Sequence, residues 1–250
     1  MAFNLRGFVK GHKVLVGVAL LIALLTGWWK YEFPSGTWRY KMTVTVETPE
    51  GIKTGYAVRE VVFTDGPKLL PDVAGANWSV RGEAVAVDLG QGKYLFALMD
   101  IDGSYRIVHD AFPYSPASGQ NIVRYYKSLT GQKKVLEHNQ YPTLVTFTDI
   151  KDPKTVTLVY GGQLDETTQQ VLPVNDLEKI FCKGVKLKDI TLEMTDEDVT
   201  WKVANFLSWL NQYYDQRLDG ERFGTIESKY RLANSLSAGS FSTGEEKHEQ

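Results

Sequence analysis

The uncharged apolar run from Val14 to Trp29 constrains this chain more than any other feature, because Arg6, Lys10 and Lys13 precede it and Lys30 closes it. A basic flank, an apolar middle and then Trp28 and Trp29 at the far edge match a segment inserted with its N-terminus in the cytoplasm. As a helix the run spans roughly 24 Å, against a hydrocarbon core of about 30 Å, so length alone does not separate an anchor from a cleavable signal peptide. The residues after Leu24 are Leu25, Thr26, Gly27, Trp28 and Trp29, and of these only Gly27 suits a cut site. The tryptophans favour the headgroup region, and Lys13 and Lys30 can snorkel, which lengthens the effective span. The run is therefore read as an uncleaved signal anchor. Residues 1–13 form a basic cytoplasmic N-terminus, residues 14–29 cross the membrane, and the bulk of the chain lies on the far side.

Composition bounds that bulk. At 43% hydrophobic, 12% aromatic and 23% charged the chain is globular rather than disordered. The 220 or so residues beyond the anchor fit one domain, taken as residues 36–235. Residues 1–30 hold four of the 28 basic residues and none of the 30 acidic ones, which leaves 24 against 30. That acidic balance gives no basic stripe for nucleic acid, so none is expected as a partner. Cys182 is the single cysteine, so neither an intrachain disulfide nor a paired-cysteine metal site can form. Its setting, Ile180-Phe181-Cys182, predicts a buried, inert thiol.

Strand signals dominate the first hundred residues. Trp38, Tyr40, Met42, Val44 and Val46 alternate with Arg39, Lys41, Thr43 and Thr45, the period of a strand with one buried face. With the turn Pro49-Glu50-Gly51 and the run Tyr56 to Phe63, residues 37–63 read as a hairpin. Val80 to Leu89 and Lys93 to Met99 form a second hairpin around Gly90-Gln91-Gly92. Pro113, Ser115, Pro116, Ser118 and Gly119 mark a loop, followed by a short helix over 121–129. Strands are predicted over 143–148 and 155–160, with a turn at Asp152-Pro153, then a short helix after Asn175 and a strand over 185–194. Thr195-Asp196-Glu197-Asp198 reads as the entrance of an amphipathic helix carrying Val199, Val203, Phe206, Leu207 and Leu210 on one face. The polar residues 236–250 read as a disordered tail. The expected class is α+β: a mainly antiparallel β domain with a C-terminal amphipathic helix, preceded by one transmembrane helix.

Several segments together resemble a family. Arg39-Tyr40-Lys41-Met42-Thr43-Val44, Glu47-Thr48-Pro49-Glu50-Gly51, Tyr141-Pro142-Thr143-Leu144-Val145-Thr146-Phe147, Asp152-Pro153-Lys154-Thr155-Val156 and Ile190-Thr191-Leu192-Glu193 with Thr195-Asp196-Glu197 are similar to a proteobacterial family of N-terminally anchored envelope proteins without an assigned activity. The resemblance covers roughly residues 36–220. It implies a bacterial inner-membrane location and a periplasmic domain, and it assigns no functional residue.

The chemistry candidates have plainer explanations. In Asp100-Ile101-Asp102-Gly103 the glycine arrives at the fourth position, where a calcium loop needs it at the sixth, so an acidic turn is the reading. His109-Asp110 on a strand would face opposite ways. Only His109 and His138 fall within the folded region, too few for a histidine-rich metal site, and no metal or cofactor is implied. The Glu197/Asp198 and Asp215/Asp219 pairs suit acid–base hydrolysis in principle, but helix capping and a turn explain them. Among the aromatics Tyr125, Tyr126, Trp201, Trp209, Tyr213 and Tyr214, the last four are the candidate partner-binding set. The expected role is a non-catalytic binding or envelope-assembly module, held to the membrane by residues 14–29 and facing a periplasmic or membrane protein partner. A periplasmic hydrolase using paired carboxylates and a periplasmic immunity protein stay open beside it.

Overall fold

The computed structural model describes residues 13–67, 75–99, 105–118, 120–165, 168, 170–225 and 227–244. The acidic turn at 100–103 lies outside them. The chain divides into two compact units, Met1–Gly36 with Phe63–Asn77, and Thr37–Val62 with Trp78–Gln250.

The first unit carries α1 (Lys13–Glu32), which extends past the apolar run. Twenty residues at the helical rise give about 30 Å, so the helix matches a bilayer core where the bare run fell short. Its side chains stand exposed, Leu24 at 71%, and over Leu15–Glu32 it is long and apolar enough to cross a membrane. The Thr26 hydroxyl donates back to the Ile22 carbonyl at 2.9 Å, which satisfies the one hydroxyl in the apolar stretch. Lys30 sits in the last turn, where the helix dipole favours a cation.

The second unit is built on two antiparallel sheets. β1 (Ser35–Thr48) and β2 (Gly51–Thr64) are neighbours in the first, with β3 (Asn77–Arg81) outside β2, and β10 (Lys186–Thr195) then β6 (Lys133–Val135) beyond β1. The second runs in the order β4 (Val85–Gly90), β5 (Lys93–Ala97), β7 (Leu144–Phe147), β8 (Val156–Leu164) and β9 (Val171–Asn175). Among the described residues α2 (Arg106–Ala111), α3 (Ile122–Ser128) and α4 (Leu177–Ile180) lie in the connections between the sheets, and α5 (Arg231–Ser235) follows the last strand. The α+β class read from the sequence is the observed one.

The alternation in β1 sets the first sheet. Trp38, Tyr40, Met42, Val44 and Val46 are buried, and the register places Tyr40, Met42 and Val44 opposite Met194, Leu192 and Ile190, all buried as well. Sliding β10 by one residue would turn that whole set to solvent, so the apolar face fixes the register. The run Val80 to Leu89 is not one strand: it breaks at Gly82, whose φ of +137° only glycine adopts easily, and the chain passes there from β3 in one sheet to β4 in the other. Gly82 also leaves room for Arg59, whose Cγ lies 3.0 Å from where a Cβ would stand.

Arg59 on β2 is buried, and its guanidinium donates to carbonyls belonging to the second sheet and its lead-in. The partners are Glu83 at 2.8 Å, Ala97 at 3.3 Å and Leu98 at 3.5 Å. Burial pushes the Tyr40 hydroxyl pKa up, and the charge and hydrogen bond of the same guanidinium offset part of that rise. Glu83, also buried, accepts from the Val203 N–H at 2.6 Å.

The C-terminal third departs most from expectation. Val199 to Leu210 is not a helix; short 3-10 turns at Val203–Asn205 and Leu210–Gln212 replace it. The Thr200 N–H bonds to the Val58 carbonyl, the Val58 N–H to the Thr200 hydroxyl, and the Val203 N–H to Glu83. These tertiary bonds hold the backbone where a helix would need it free, and Val199, Thr200 and Asn205 are weak helix formers. Glu197 and Asp198 therefore cap nothing; they pair with Lys41 and Arg39 on β1, the second at 2.9 Å. Residues 236–244 are not a disordered tail. Phe241 is fully buried, its carbonyl accepts from the Ala84 N–H at 2.7 Å, and Ser242 bridges to Glu83. One phenylalanine in a polar stretch decides this, which average composition conceals. Cys182 is exposed rather than buried.

Candidate functional site

The core of the second sheet continues sideways into a groove. Val145, Phe96 and Val156 pack beneath Val203, Leu207, Trp209, Leu210, Leu218, Ala233 and Phe241, so the C-terminal segment forms a layer over that face. The layer stops at the loop 217–225 and α5, while β8 runs on beyond it. The space left measures about 720 Å³, within the 300–1,000 Å³ or so typical of small-ligand sites. Val156, Leu158, Leu164 and Val174 from the sheet and Leu232 from α5 give it aliphatic walls, and Gly162 adds no side chain to the floor. Arg217 and Arg231 stand on the opposite rim with Thr225 and Ser235.

A buried polar network holds that rim. Asn234, 1% exposed, accepts from the Thr225 N–H, donates to Asp219 at 2.7 Å and donates to the Phe223 carbonyl at 3.3 Å. Asp219 also accepts from the Ser228 hydroxyl at 2.7 Å and the Glu221 N–H at 3.0 Å. Burial pushes the Asp219 carboxyl up, but the hydrogen bonds from Ser228, the Glu221 N–H, Asn234 and its own N–H outweigh it and its pKa lies below the usual carboxylate value. The Leu218 N–H reaches the carbonyls of Ala233 and Leu236, both at 3.0 Å, and closes the loop. Arg217 donates to the Ser235 carbonyl at 3.4 Å across the rim. Among the described residues the carboxylate lining the groove is that of Asp176, paired with Lys179 at 2.9 Å.

A second cavity, of about 180 Å³, lies among Trp38, Arg39, Glu60, Tyr126 and Thr195. It falls below the usual ligand-site size, and its Glu60 is held by Arg39 at 3.0 Å and by Arg81 at 3.4 Å. Tyr126 stacks on Trp38 with centroids 4.5 Å apart, and Tyr125 packs edge-on against Tyr126 at 5.1 Å. These rings serve packing.

The predicted aromatic set does not form one surface. Trp209 is a core residue, 5% exposed, with its Nε1–H on the Ile150 carbonyl at 2.9 Å and its ring against Phe147, Tyr213 and Phe241. Tyr213 is half-buried against it, and Tyr214, also half-buried, hydrogen-bonds Ser242. Trp201 is half-buried on the stretch before the first 3-10 turn. None of the four lines the groove. His109 lies on α2, not a strand, and its Nδ1 is 3.8 Å from Asp110 with both side chains mostly exposed. Among the described residues no group of three or more His, Cys, Asp or Glu is placed to hold a metal. Sequence spacing missed the groove because residues 156–176 and 217–235 meet only through the tertiary fold.

Compared with known proteins, the chain matches no family model, no curated protein and no solved structure.

Proposed function

We propose that this chain is a single-pass inner-membrane protein with its N-terminus in the cytoplasm and a periplasmic, non-catalytic binding domain that seats its ligand in the groove between β8–β9 and the rim 217–235. The groove carries the reading: its size suits a ligand, and among the described residues its charged lining is Arg217 and Arg231 with the single carboxylate Asp176 rather than a carboxylate pair. The 30 Å reach of α1 and the basic residues Arg6, Lys10 and Lys13 before it support the placement. The family resemblance of residues 36–220 points the same way.

Two measurements test it. A reporter active only outside the cytoplasm, fused after residue 250, is expected to be active; activity of a cytoplasm-only reporter there overturns the topology. A photo-crosslinking residue in place of Leu164, which is 55% exposed beside the groove, is expected to form an adduct in intact cells, whereas the same residue at exposed Ile52 on β2 is not. Equal yields at both positions, or none at Leu164, overturn the binding site.

A further inference from the structure

We infer that six tyrosine and tryptophan rings form, beyond their packing, a conduit for an oxidising equivalent: a missing electron passes from buried Trp38 out to Tyr105 on one side and to Tyr114 on the other. None of the six lines the groove, so the conduit stands apart from it.

The contacts are continuous. Tyr105 stacks on Trp78 with centroids 5.2 Å apart, Trp78 meets Trp38 edge-on at 5.8 Å, and Trp38 stacks on Tyr126 at 4.5 Å. Tyr126 meets Tyr125 at 5.1 Å, and Tyr125 meets Tyr114 at 5.4 Å. Every step lies in the range of rings in direct contact. Electron transfer weakens exponentially with the gap between donor and acceptor, so contact at every step keeps each hop fast.

The chemistry of the rings is uniform. Indoles and phenols give up one electron to oxidants that leave a phenylalanine ring untouched. The layer over the second sheet is built differently: there Phe96, Phe147 and Phe241 pack around one another and against Trp209. Phenylalanine fills space in that layer, so packing by itself does not call for a run of tyrosine and tryptophan.

Burial sets the direction. Trp38 and Tyr126 are 4% and 1% exposed, whereas Trp78, Tyr105, Tyr114 and Tyr125 are half-buried. A phenol that loses an electron also sheds its proton, and near neutral pH a tyrosine that can pass this proton to water is easier to oxidise than tryptophan. Burial pushes the Tyr126 hydroxyl pKa up, so this ring keeps its proton and passes the charge on. The step balances: a one-electron oxidant of the oxygen-radical class takes an electron from the Trp38 indole. Tyr114 returns that electron through Tyr126 and Tyr125 and releases its hydroxyl proton to water. The indole is restored and a neutral tyrosyl radical is left at the half-buried end, where a thiol or ascorbate restores the phenol by giving a hydrogen atom.

The test uses the full chain in phosphatidylcholine nanodiscs, oxidised by azide radicals, which take one electron from tryptophan and become azide anions. A nitroso spin trap captures the tyrosyl radicals, and mass spectrometry maps the adducts. They are expected at Tyr105 and at Tyr114 with Tyr125. Tyr126→Phe keeps the ring and removes the phenol; it is expected to lower trapping at Tyr114 and Tyr125 at least fivefold and to leave Tyr105 unchanged. Trp78→Phe is expected to do the reverse. Circular dichroism melts of both variants check that the fold is kept. Absence of adducts at Tyr105 and Tyr114 in the parent chain overturns the inference without any variant. Trapping at Tyr114 that survives Tyr126→Phe, or at Tyr105 that survives Trp78→Phe, shows direct oxidation of a surface ring and overturns it as well. So does equal loss at both ends in each variant, which reports a loosened fold rather than a broken path.

Discussion

Arg59 and Glu83 are both buried, at 1% and 2% exposure, and the arginine Nε donates to the Glu83 backbone carbonyl at 2.8 Å while the Glu83 carboxylate turns away to the Val203 N–H. One cation and one anion are thus taken from water at the point where the chain leaves the first sheet for the second. Three guanidinium bonds end on carbonyls from the far side of that crossing, and the Tyr40 hydroxyl on β1 shares the same group. Replacing Arg59 by Met strands those acceptors, and an unsatisfied buried polar group costs about 1–3 kcal/mol. Arg59→Met is expected to lower stability by at least the cost of one such stranded acceptor, about 1–3 kcal/mol. Glu83→Gln keeps an oxygen for the Val203 N–H and is expected to cost less. Denaturant unfolding followed by tryptophan fluorescence measures both, and an Arg59→Met midpoint equal to that of the parent would remove Arg59 as the link.

Gly55 on β2 marks a close backbone approach. A Cβ at this position would lie 2.1 Å from the Ala86 carbonyl oxygen and 2.8 Å from its carbon. The obstacle is backbone, which cannot swing aside as a side chain can. Gly55→Ala is expected to destabilise by at least the 1–3 kcal/mol or so of ordinary overpacking. A thermal midpoint within a degree of the parent would show that the strands can separate there without cost.

Legibility in the sequence followed the range of the forces involved. The β1 face was readable because Trp38, Tyr40, Met42, Val44 and Val46 state a period of two within one strand. The turn at Gly90-Gln91-Gly92 was readable because all three residues adopt positive φ, which glycine supplies cheaply. The break at Gly82 was hidden inside an apolar run; a strand-like sequence does not say which sheet it belongs to. Val203, Phe206, Leu207 and Leu210 show helical spacing, yet consecutive 3-10 turns bury Val203, Leu207 and Leu210 equally well once Glu83 and Val58 claim the backbone. The groove was not legible at all, because nothing local relates Leu158 and Leu164 to Arg217 and Arg231.

The folded C-terminal segment leads to a truncation test. Phe241 contacts Phe96, Phe147 and Trp209 with centroids 5.7–5.9 Å apart, and the Met99 N–H reaches the Ser240 carbonyl at 2.8 Å. A stop codon after Leu236 is expected to abolish cooperative unfolding, and Phe241→Ala to cost about 3–5 kcal/mol. Calorimetry of the two variants checks this; a cooperative transition in the truncated chain at the parent temperature would return these residues to the role of a tail.

Asp219 makes stability depend on pH. Burial raises its pKa, but the bonds from Ser228, the Glu221 N–H, Asn234 and its own N–H together lower it further than burial raises it, so the folded value lies under the unfolded one. A carboxylate with a depressed folded pKa contributes stability that is fully present above its unfolded pKa, near 4, and is lost as pH falls through the folded pKa. Between pH 7 and pH 3 the parent is therefore expected to lose more stability than Asp219→Asn, which cannot titrate there. Parallel urea midpoints at the two pH values decide it, and equal losses would mean that the Asp219 network adds nothing to the acid sensitivity.

Trp209 and Phe206 reverse the order that an amphipathic helix would impose. On such a helix Phe206 belongs to the packed face and Trp209 lies off it, so truncating the phenylalanine would cost more. In the fold Trp209 is buried and holds the Ile150 carbonyl, whereas Phe206 is only partly buried and leans on Tyr94 with centroids 5.0 Å apart. Trp209→Ala is expected to cost about 3–5 kcal/mol, the range for large aromatics deleted from cores, and Phe206→Ala less. Trp209→Phe separates the two parts of the loss: it keeps most of the ring contacts and gives up the indole hydrogen bond, a net contribution of about 1 kcal/mol, plus the Ile150 acceptor left bare. Trp201→Ala, at a half-buried position, serves as the aromatic control and is expected to be the mildest. Melting curves of the four variants give the ranking directly. A Phe206→Ala loss exceeding that of Trp209→Ala would mean that residues 199–210 pack as the continuous helix their spacing suggests.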